Sequence, residues 1–149
     1  AGIAEEEAKK AENAMPEFSL NTLEGKAVTN KTIKGKPAVF VLMQTACNMC
    51  RTEISDMDAL SKSDSYKEIS FFIVNVDIKP DATLPGYLKS NAISMTALVD
   101  PEFTFGPKFG LTFTPSAVFV DKSGKVAAIS RGYKADGFEK AKGYLDMIK

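Results

Sequence analysis

Cys47 and Cys50 stand three positions apart and are the only cysteines in this 149-residue chain. They follow an apolar run, residues 38–43, and precede a segment whose apolar residues recur at helical spacing. A Cys-x-x-Cys pair at a strand-to-helix junction is typical of a dithiol that cycles between thiols and a disulfide. Because a helix N-terminus carries unpaired N–H groups and the positive end of the macrodipole, we expect Cys47 to have a lowered pKa and to be the nucleophile. Cys50, one turn further on, is expected to attack the mixed disulfide and release the reduced partner.

Other uses of the cysteine pair fit the sequence less well. A zinc site needs four ligands, whereas the chain contains no His and no third Cys. A purely structural disulfide would close a loop so short that it would hardly constrain the unfolded chain. Inert burial of both thiols conflicts with the place of Cys47 at the start of a helix. The pattern therefore favours redox chemistry with no metal and no cofactor.

Composition and charge indicate a single soluble domain. Hydrophobic residues make up 44% of the chain, charged residues make up 26%, and 19 basic residues balance 19 acidic ones. This balance argues against nucleic acid or an anionic membrane surface as the main partner. Residues 1–14 are polar and are expected to be a tail or spacer, whereas residues 15–149 are expected to form the domain.

The elements that would position the cysteines can be predicted from local patterns. Residues 38–43 lack polar alternation, which predicts a central strand buried on both faces. A helix over 47–61 and a second apolar strand over 70–77 would complete a βαβ unit with parallel strands. Hairpins are predicted near residues 18–29 and 116–130. The remaining predicted elements are helices at 84–92 (with Pro85 in the first turn), 102–109 and 137–148, and a strand at 96–99.

The chain resembles thioredoxin-fold proteins of the TlpA/ResA type, the extracytoplasmic thiol–disulfide oxidoreductases of bacteria. The segments that carry the resemblance span about residues 15–149: MPEFSLNTLEGKAV, TIKGKPAVFVL, CNMCRTEI, FFIVNVD and LVDPEFTFGPKFGLTFTPSAVFVDKSGKV. The resemblance implies an α/β, thioredoxin-like fold: a central mixed sheet flanked by helices, with an N-terminal β-hairpin and a βα insertion at about residues 78–99. It also implies that the Thr114–Pro115 bond is cis and faces the dithiol, where the backbone of Thr114 would pair with the substrate.

Glu53 stands three residues after Cys50, on the flank of the apolar stripe. Relatives of this type have an acid at this offset that tunes the dithiol and handles protons. Val41 occupies the position where ordinary thioredoxins keep a buried Asp. The resemblance thus implies that Glu53 is a catalytic residue that exchanges protons with Cys50. From the residues alone, the alternative is a solvated acid that favours the helix dipole and has no other role.

The chain departs from the family pattern beside the cysteines. Ala46 stands where a Trp usually precedes the first Cys, and the intervening pair lacks the frequent Pro. Met49 adds a polarizable apolar tip beside Cys47. We expect four residues to contact the substrate: Asn48, Met49, Thr114 and Pro115.

The resemblance implies a reductant in the bacterial cell envelope, periplasmic or on the extracytoplasmic face of a membrane. Its partners would be proteins with disulfides or thiols and a membrane thiol-electron donor, and it would serve a pathway such as cytochrome c maturation. A membrane tether preceding Ala1 would fit the polar tail. The motif alone does not set the direction of electron flow, because potentials in this fold run from about −270 to −120 mV.

Two alternative functions share the fold. A thiol peroxidase would carry a Pro-x-x-x-Thr-x-x-Cys signature, but Phe40 and Gln44 occupy its Pro and Thr positions. A copper protein of the Sco type would need a His, which the chain lacks. Binding of Cu(I) by the two cysteine thiolates stays open.

Overall fold

The computed structural model describes residues 14–149. The strands in this range are β1 (Ser19–Thr22), β2 (Ala27–Thr29), β3 (Ala38–Met43), β4 (Ser70–Asn75), β5 (Thr96–Val99), β6 (Ser116–Val120) and β7 (Val126–Arg131). The α-helices are α1 (Asn30–Ile33), α2 (Asn48–Ser61), α3 (Pro80–Ser90) and α4 (Gly137–Ile148). Two 3₁₀ turns lie at Asp64–Tyr66 and Gly106–Phe109. The tail expected at residues 1–14 lies outside the described residues, apart from Ala14.

The described strands form one mixed sheet in the order β2-β1-β5-β4-β3-β6-β7. Strand β3 runs parallel to β4 and antiparallel to β6. Every residue of β3 is buried, which confirms the prediction of a central strand covered on both faces. Its alternate side chains enter two apolar clusters, and the cluster with Val39, Val41 and Met43 also contains Cys50.

Helix α2 connects β3 to β4 and makes the predicted parallel βαβ unit. The hairpins β1–β2 and β6–β7 are also present. Helix α3 and strand β5 form the expected insertion, and β5 pairs with β4 on one side and β1 on the other. The fold is therefore the predicted thioredoxin-like arrangement of a mixed sheet flanked by helices.

Two predicted helix boundaries were wrong. Helix α3 begins at Pro80, so Pro85 lies inside the helix rather than in its first turn. A proline at the first position is favourable because the N–H that it lacks would have no helical acceptor, and this makes Pro80 the better start. The helix expected at 102–109 is reduced to the 3₁₀ turn at its end, because Phe103 adopts a positive φ of 53° that interrupts a right-handed helix.

None of the helices in residues 14–149 has both the length and the apolar character that crossing a membrane requires. The carboxyl ends of β3 and β4 meet at one edge of the sheet. The cysteine pair lies immediately after β3 at that edge.

Candidate active site

Cys47 and Cys50 form a disulfide at the start of helix α2, with their Cα atoms 5.2 Å apart. Cys47 is the N-cap residue, and its Sγ accepts a hydrogen bond from the Cys50 N–H at 3.1 Å. Cys47 is half-buried, whereas Cys50 is fully buried. Cys47 is therefore the sulfur that a partner can reach. After reduction, the N–H groups and the dipole at the helix start would stabilise its thiolate.

Glu53 lies on α2 one turn after Cys50 and is only 1% exposed. This burial contradicts the alternative in which Glu53 is a solvated surface acid. Its Oε1 has no hydrogen-bond partner among residues 14–149. Burial, and secondarily the negative charge of Asp56, raises the pKa of Glu53 from 4.5 to about 8. At neutral pH this buried carboxyl group therefore holds its proton.

Strand β3 supplies no acid to the dithiol. Val41 is fully buried and pairs with Ile73 of β4 and Ala117 of β6. Glu53, on helix α2, is therefore the buried acid nearest in sequence to Cys50.

Thr114 and Pro115 immediately precede β6, and the peptide bond between them is cis, as expected. The next residue, Ser116, pairs with Leu42 near the end of β3, so the Thr114–Pro115 bond lies at the same sheet edge as the cysteines. The Thr114 hydroxyl donates a hydrogen bond to Gln44 Oε1 at 3.4 Å. The fold thus brings this segment beside the loop that leads to Cys47.

Asp77, which the sequence analysis did not identify, anchors the loop before the cysteines. The Thr45 N–H donates to Asp77 Oδ1 at 3.0 Å, and the Thr45 hydroxyl donates to Oδ2 at 2.7 Å. The Thr83 hydroxyl of helix α3 donates to the same Oδ2 at 2.5 Å. Burial alone would raise the pKa of Asp77, but the hydrogen bonds from Thr83 and Thr45 outweigh burial, and the pKa is lowered. We call these three residues the Asp77 clamp.

A sequence signal for the Asp77 clamp did exist. Asp77 is the last residue of the strand predicted over 70–77, whereas the observed strand β4 ends at Asn75. The predicted strand is parallel to β3, and the carboxyl ends of parallel strands share one edge of a sheet. Polar groups at that edge in α/β proteins commonly belong to a functional site. The signal did not reveal which residue the carboxylate would bind, because Thr45 and Asp77 are 32 positions apart.

The two residues between the cysteines, Asn48 and Met49, are both exposed in the first turn of α2. Among the large apolar side chains exposed in residues 14–149, three belong to segments around the dithiol: Met49 at 54%, Ile78 at 83% and Phe113 at 49%. Ile78 directly follows Asp77, and Phe113 directly precedes Thr114. Since both neighbours bond to the loop before Cys47, the two apolar side chains belong to the segments that flank this loop. We call Met49, Ile78 and Phe113 the apolar rim.

Within the described range, no three His, Cys, Asp or Glu side chains approach one another closely enough to hold a metal ion. What the site does contain is a disulfide with one accessible sulfur, a buried carboxyl group and an adjoining apolar rim. This arrangement suits the exchange of a disulfide with another polypeptide.

Known proteins resemble this chain in sequence and in fold. A model of the Redoxin family matches residues 10–146. The thiol-disulfide oxidoreductase ResA of Bacillus thuringiensis (strain Al Hakam) is 24% identical over 146 residues, which cover 98% of this chain and 83% of the relative. A crystal structure of a putative thiol:disulfide interchange protein DsbE from Chlorobium tepidum matches with a TM-score of 0.84 and 20% identity, over 93% of this chain and 96% of that one. The solution structure of a putative thioredoxin from Neisseria meningitidis matches with a TM-score of 0.79 and 24% identity, over 91% and 90%.

Proposed function

Since the chain belongs to the Redoxin family and is a thiol–disulfide oxidoreductase, we propose that it reduces disulfides of other proteins in the bacterial cell envelope. The observation that carries the mechanism is the disulfide between a half-exposed Cys47 and a fully buried Cys50. The resemblance to the TlpA/ResA type supports the reductive direction and the extracytoplasmic location. A membrane tether preceding Ala1, a membrane thiol-electron donor and a role in cytochrome c maturation belong to the same proposal.

In the reductive reaction, the Cys47 thiolate attacks one sulfur of the partner's disulfide. A mixed disulfide forms, and the partner's other sulfur leaves as a thiolate. Cys50 transfers its proton to the Glu53 carboxylate and then attacks the Cys47 sulfur. The partner's second sulfur leaves, and the enzyme ends with the Cys47–Cys50 disulfide seen in this structure.

Regeneration reverses these steps. A thiolate of the electron donor attacks Cys47 Sγ, the Cys47–Cys50 bond breaks, and the Cys50 sulfur takes the electron pair. Glu53, protonated in the oxidised protein below about pH 8, gives its proton to that sulfur. The donor's second thiolate then resolves the mixed disulfide and leaves the enzyme with two reduced cysteines.

The substrate contacts that we propose lie around Cys47. The backbone of Thr114 would pair with an extended segment of the partner, and Pro115 would line the same surface beside it. Asn48 and Met49 would contact the partner from the first turn of α2. The apolar rim favours a partner with apolar side chains near its reactive cysteine, because covering exposed apolar groups lowers the free energy of the complex.

The reduced protein is expected to reduce a protein disulfide and to be recovered with Cys47 and Cys50 joined. Alkylation followed by mass spectrometry measures both products, and equilibration with glutathione gives the reduction potential. A potential towards the thioredoxin value of about −270 mV supports a reductant, whereas one near −120 mV would assign the protein as an oxidant. Peroxide consumption without exchange with protein disulfides would instead indicate the thiol peroxidase.

Replacing both Ile78 and Phe113 with Ser is expected to raise the KM for a protein disulfide while leaving the rate with oxidised glutathione nearly unchanged. The small disulfide needs only Cys47, whereas the protein also covers the apolar rim. Met147→Ser is the matched control, because Met147 is likewise an exposed apolar residue, at 54%, but lies near the end of α4. An unchanged KM for the protein disulfide in the double variant would exclude Ile78 and Phe113 from the docking surface.

A further inference from the structure

We propose that Asp56 and Tyr133 are positioning residues of the dithiol site and act on Cys50 through the buried carboxyl group of Glu53. The inference rests on the proposed function, since it concerns the proton that accompanies each disulfide exchange. Neither residue belongs to the cysteine motif. The fold brings them together from positions 77 residues apart.

The first observation is the geometry of the two side chains. Asp56 lies on α2 three residues after Glu53, a spacing that places side chains next to each other on a helix. Tyr133 lies between β7 and α4, and its hydroxyl donates a hydrogen bond to Asp56 Oδ2 at 2.5 Å. Both side chains are half-buried. The hydrogen bond holds the Asp56 carboxylate on the helix beside Glu53 instead of leaving it free to turn towards water.

The second observation is that packing independently holds the Tyr133 ring. A Cβ atom added to Gly137 would lie 2.6 Å from Tyr133 Cε1 and 2.7 Å from Cζ, too close for any side chain. The ring therefore lies directly against the first turn of α4, at a place that only glycine leaves open. Because this contact does not involve the hydroxyl, a Tyr133→Phe variant should keep the ring in position and lose only the hydrogen bond.

The third observation concerns the charged groups around Glu53. Helix α2 presents Cys50 and Asp56, and the segment before α4 presents Tyr133. The neighbouring strands β3 and β4 carry no titratable side chain. The acids and lysines at α4 form ion pairs with one another: Lys140–Asp136, Lys142–Glu139 and Lys149–Asp146. The negative charge that acts on Glu53 is therefore that of Asp56.

This arrangement opposes ionisation of Glu53. Burial is the larger cause of the raised pKa of Glu53, and the charge of Asp56 adds to it. Burial and the contact with Asp56 also raise the pKa of Tyr133, so the hydroxyl keeps its proton and stays a donor. Asp56 and Tyr133 thus keep Glu53 protonated up to a higher pH. This is the proton that Glu53 gives to the Cys50 sulfur when the disulfide is reduced.

The test is the titration of the Glu53 carboxyl carbon, followed by ¹³C NMR in the oxidised protein. Asp56→Asn is expected to lower the apparent pKa of Glu53 by roughly half a unit to one unit, because it removes the repelling charge and keeps the shape. Tyr133→Phe is expected to cause a smaller shift in the same direction. The double variant should match Asp56→Asn, since Tyr133 acts through Asp56. The pH profile for reduction of the disulfide by dithiothreitol should shift with the titration.

A second Tyr–Asp hydrogen bond in the protein provides the matched control. The Tyr66 hydroxyl donates to Asp146 Oδ1 at 3.0 Å, in the last turn of α4. Tyr66→Phe and Asp146→Asn are expected to leave the Glu53 titration unchanged. The proposal would be overturned if the Glu53 titration in Asp56→Asn were unshifted. It would also be overturned if the double variant showed the full Tyr133→Phe shift in addition to the Asp56→Asn shift. The titration needs no turnover, so it stands or fails separately from the ability to reduce partner proteins.

Discussion

Replacing Glu53 with Gln is expected to raise the free energy of unfolding of the oxidised protein above pH 8, although it should slow disulfide exchange. Folding raises the pKa of Glu53 from 4.5 to about 8. The protonated Glu53 therefore makes its full contribution to the free energy of unfolding below pH 4.5. This contribution is lost as the pH rises towards 8, because Glu53 releases its proton at a lower pH in the unfolded chain than in the folded protein. The loss amounts to at most roughly 5 kcal/mol, and Gln avoids it because an amide does not ionise.

Urea unfolding of the oxidised wild-type and Glu53→Gln proteins at several pH values measures this effect. The wild type should lose stability between pH 4.5 and 8, whereas the variant should change much less over that interval. Glu68→Gln is a suitable control, because Glu68 is an exposed acid. Parallel curves for wild type and Glu53→Gln would mean that Glu53 does not retain its proton on folding. An unchanged exchange rate across pH would remove it from the catalytic mechanism.

Replacing Cys50 with Ser is expected to leave an enzyme that attacks its partner but cannot finish the reaction. Cys47 remains half-exposed at the helix start, so mixed disulfides with partner proteins should accumulate. Cys47→Ser should abolish exchange, because the remaining Cys50 is fully buried. Each variant is the control for the other.

Non-reducing electrophoresis and mass spectrometry identify the trapped partners, which would also name the physiological substrate. In the reduced wild type, alkylation at mildly acidic pH should modify Cys47 before Cys50. Mixed disulfides in Cys47→Ser, or faster alkylation of Cys50, would reverse the roles assigned to the two sulfurs.

The sequence predicted the elements around the cysteines because their signals are local. The apolar run of β3 and the helical spacing after Cys47 both lie within about a dozen residues of the motif, and each element formed where it was expected. The start of α3 was misplaced because two prolines compete for it. The sequence pattern places Pro85 in the first turn, but Pro80 occupies that position and the helix continues through Pro85.

The groups that tune the site could not be predicted from local patterns. The burial of Glu53 depends on the strands and helix that cover α2. The local sequence therefore did not decide whether Glu53 is exposed or buried. The partner of Asp56 is Tyr133, which no periodicity connects to the motif. Such contacts are set by how distant elements pack, and only the assembled fold reveals them.

The Asp77 clamp has a consequence for protein engineering. Thr45 gives both its N–H and its hydroxyl to Asp77, and the same carboxylate accepts from Thr83. Residues 44–51 grafted into another scaffold would carry both cysteines but leave Thr45 without its acceptor. Three chain segments, those around Thr45, Asp77 and Thr83, must therefore be transferred together for the grafted loop to keep its shape.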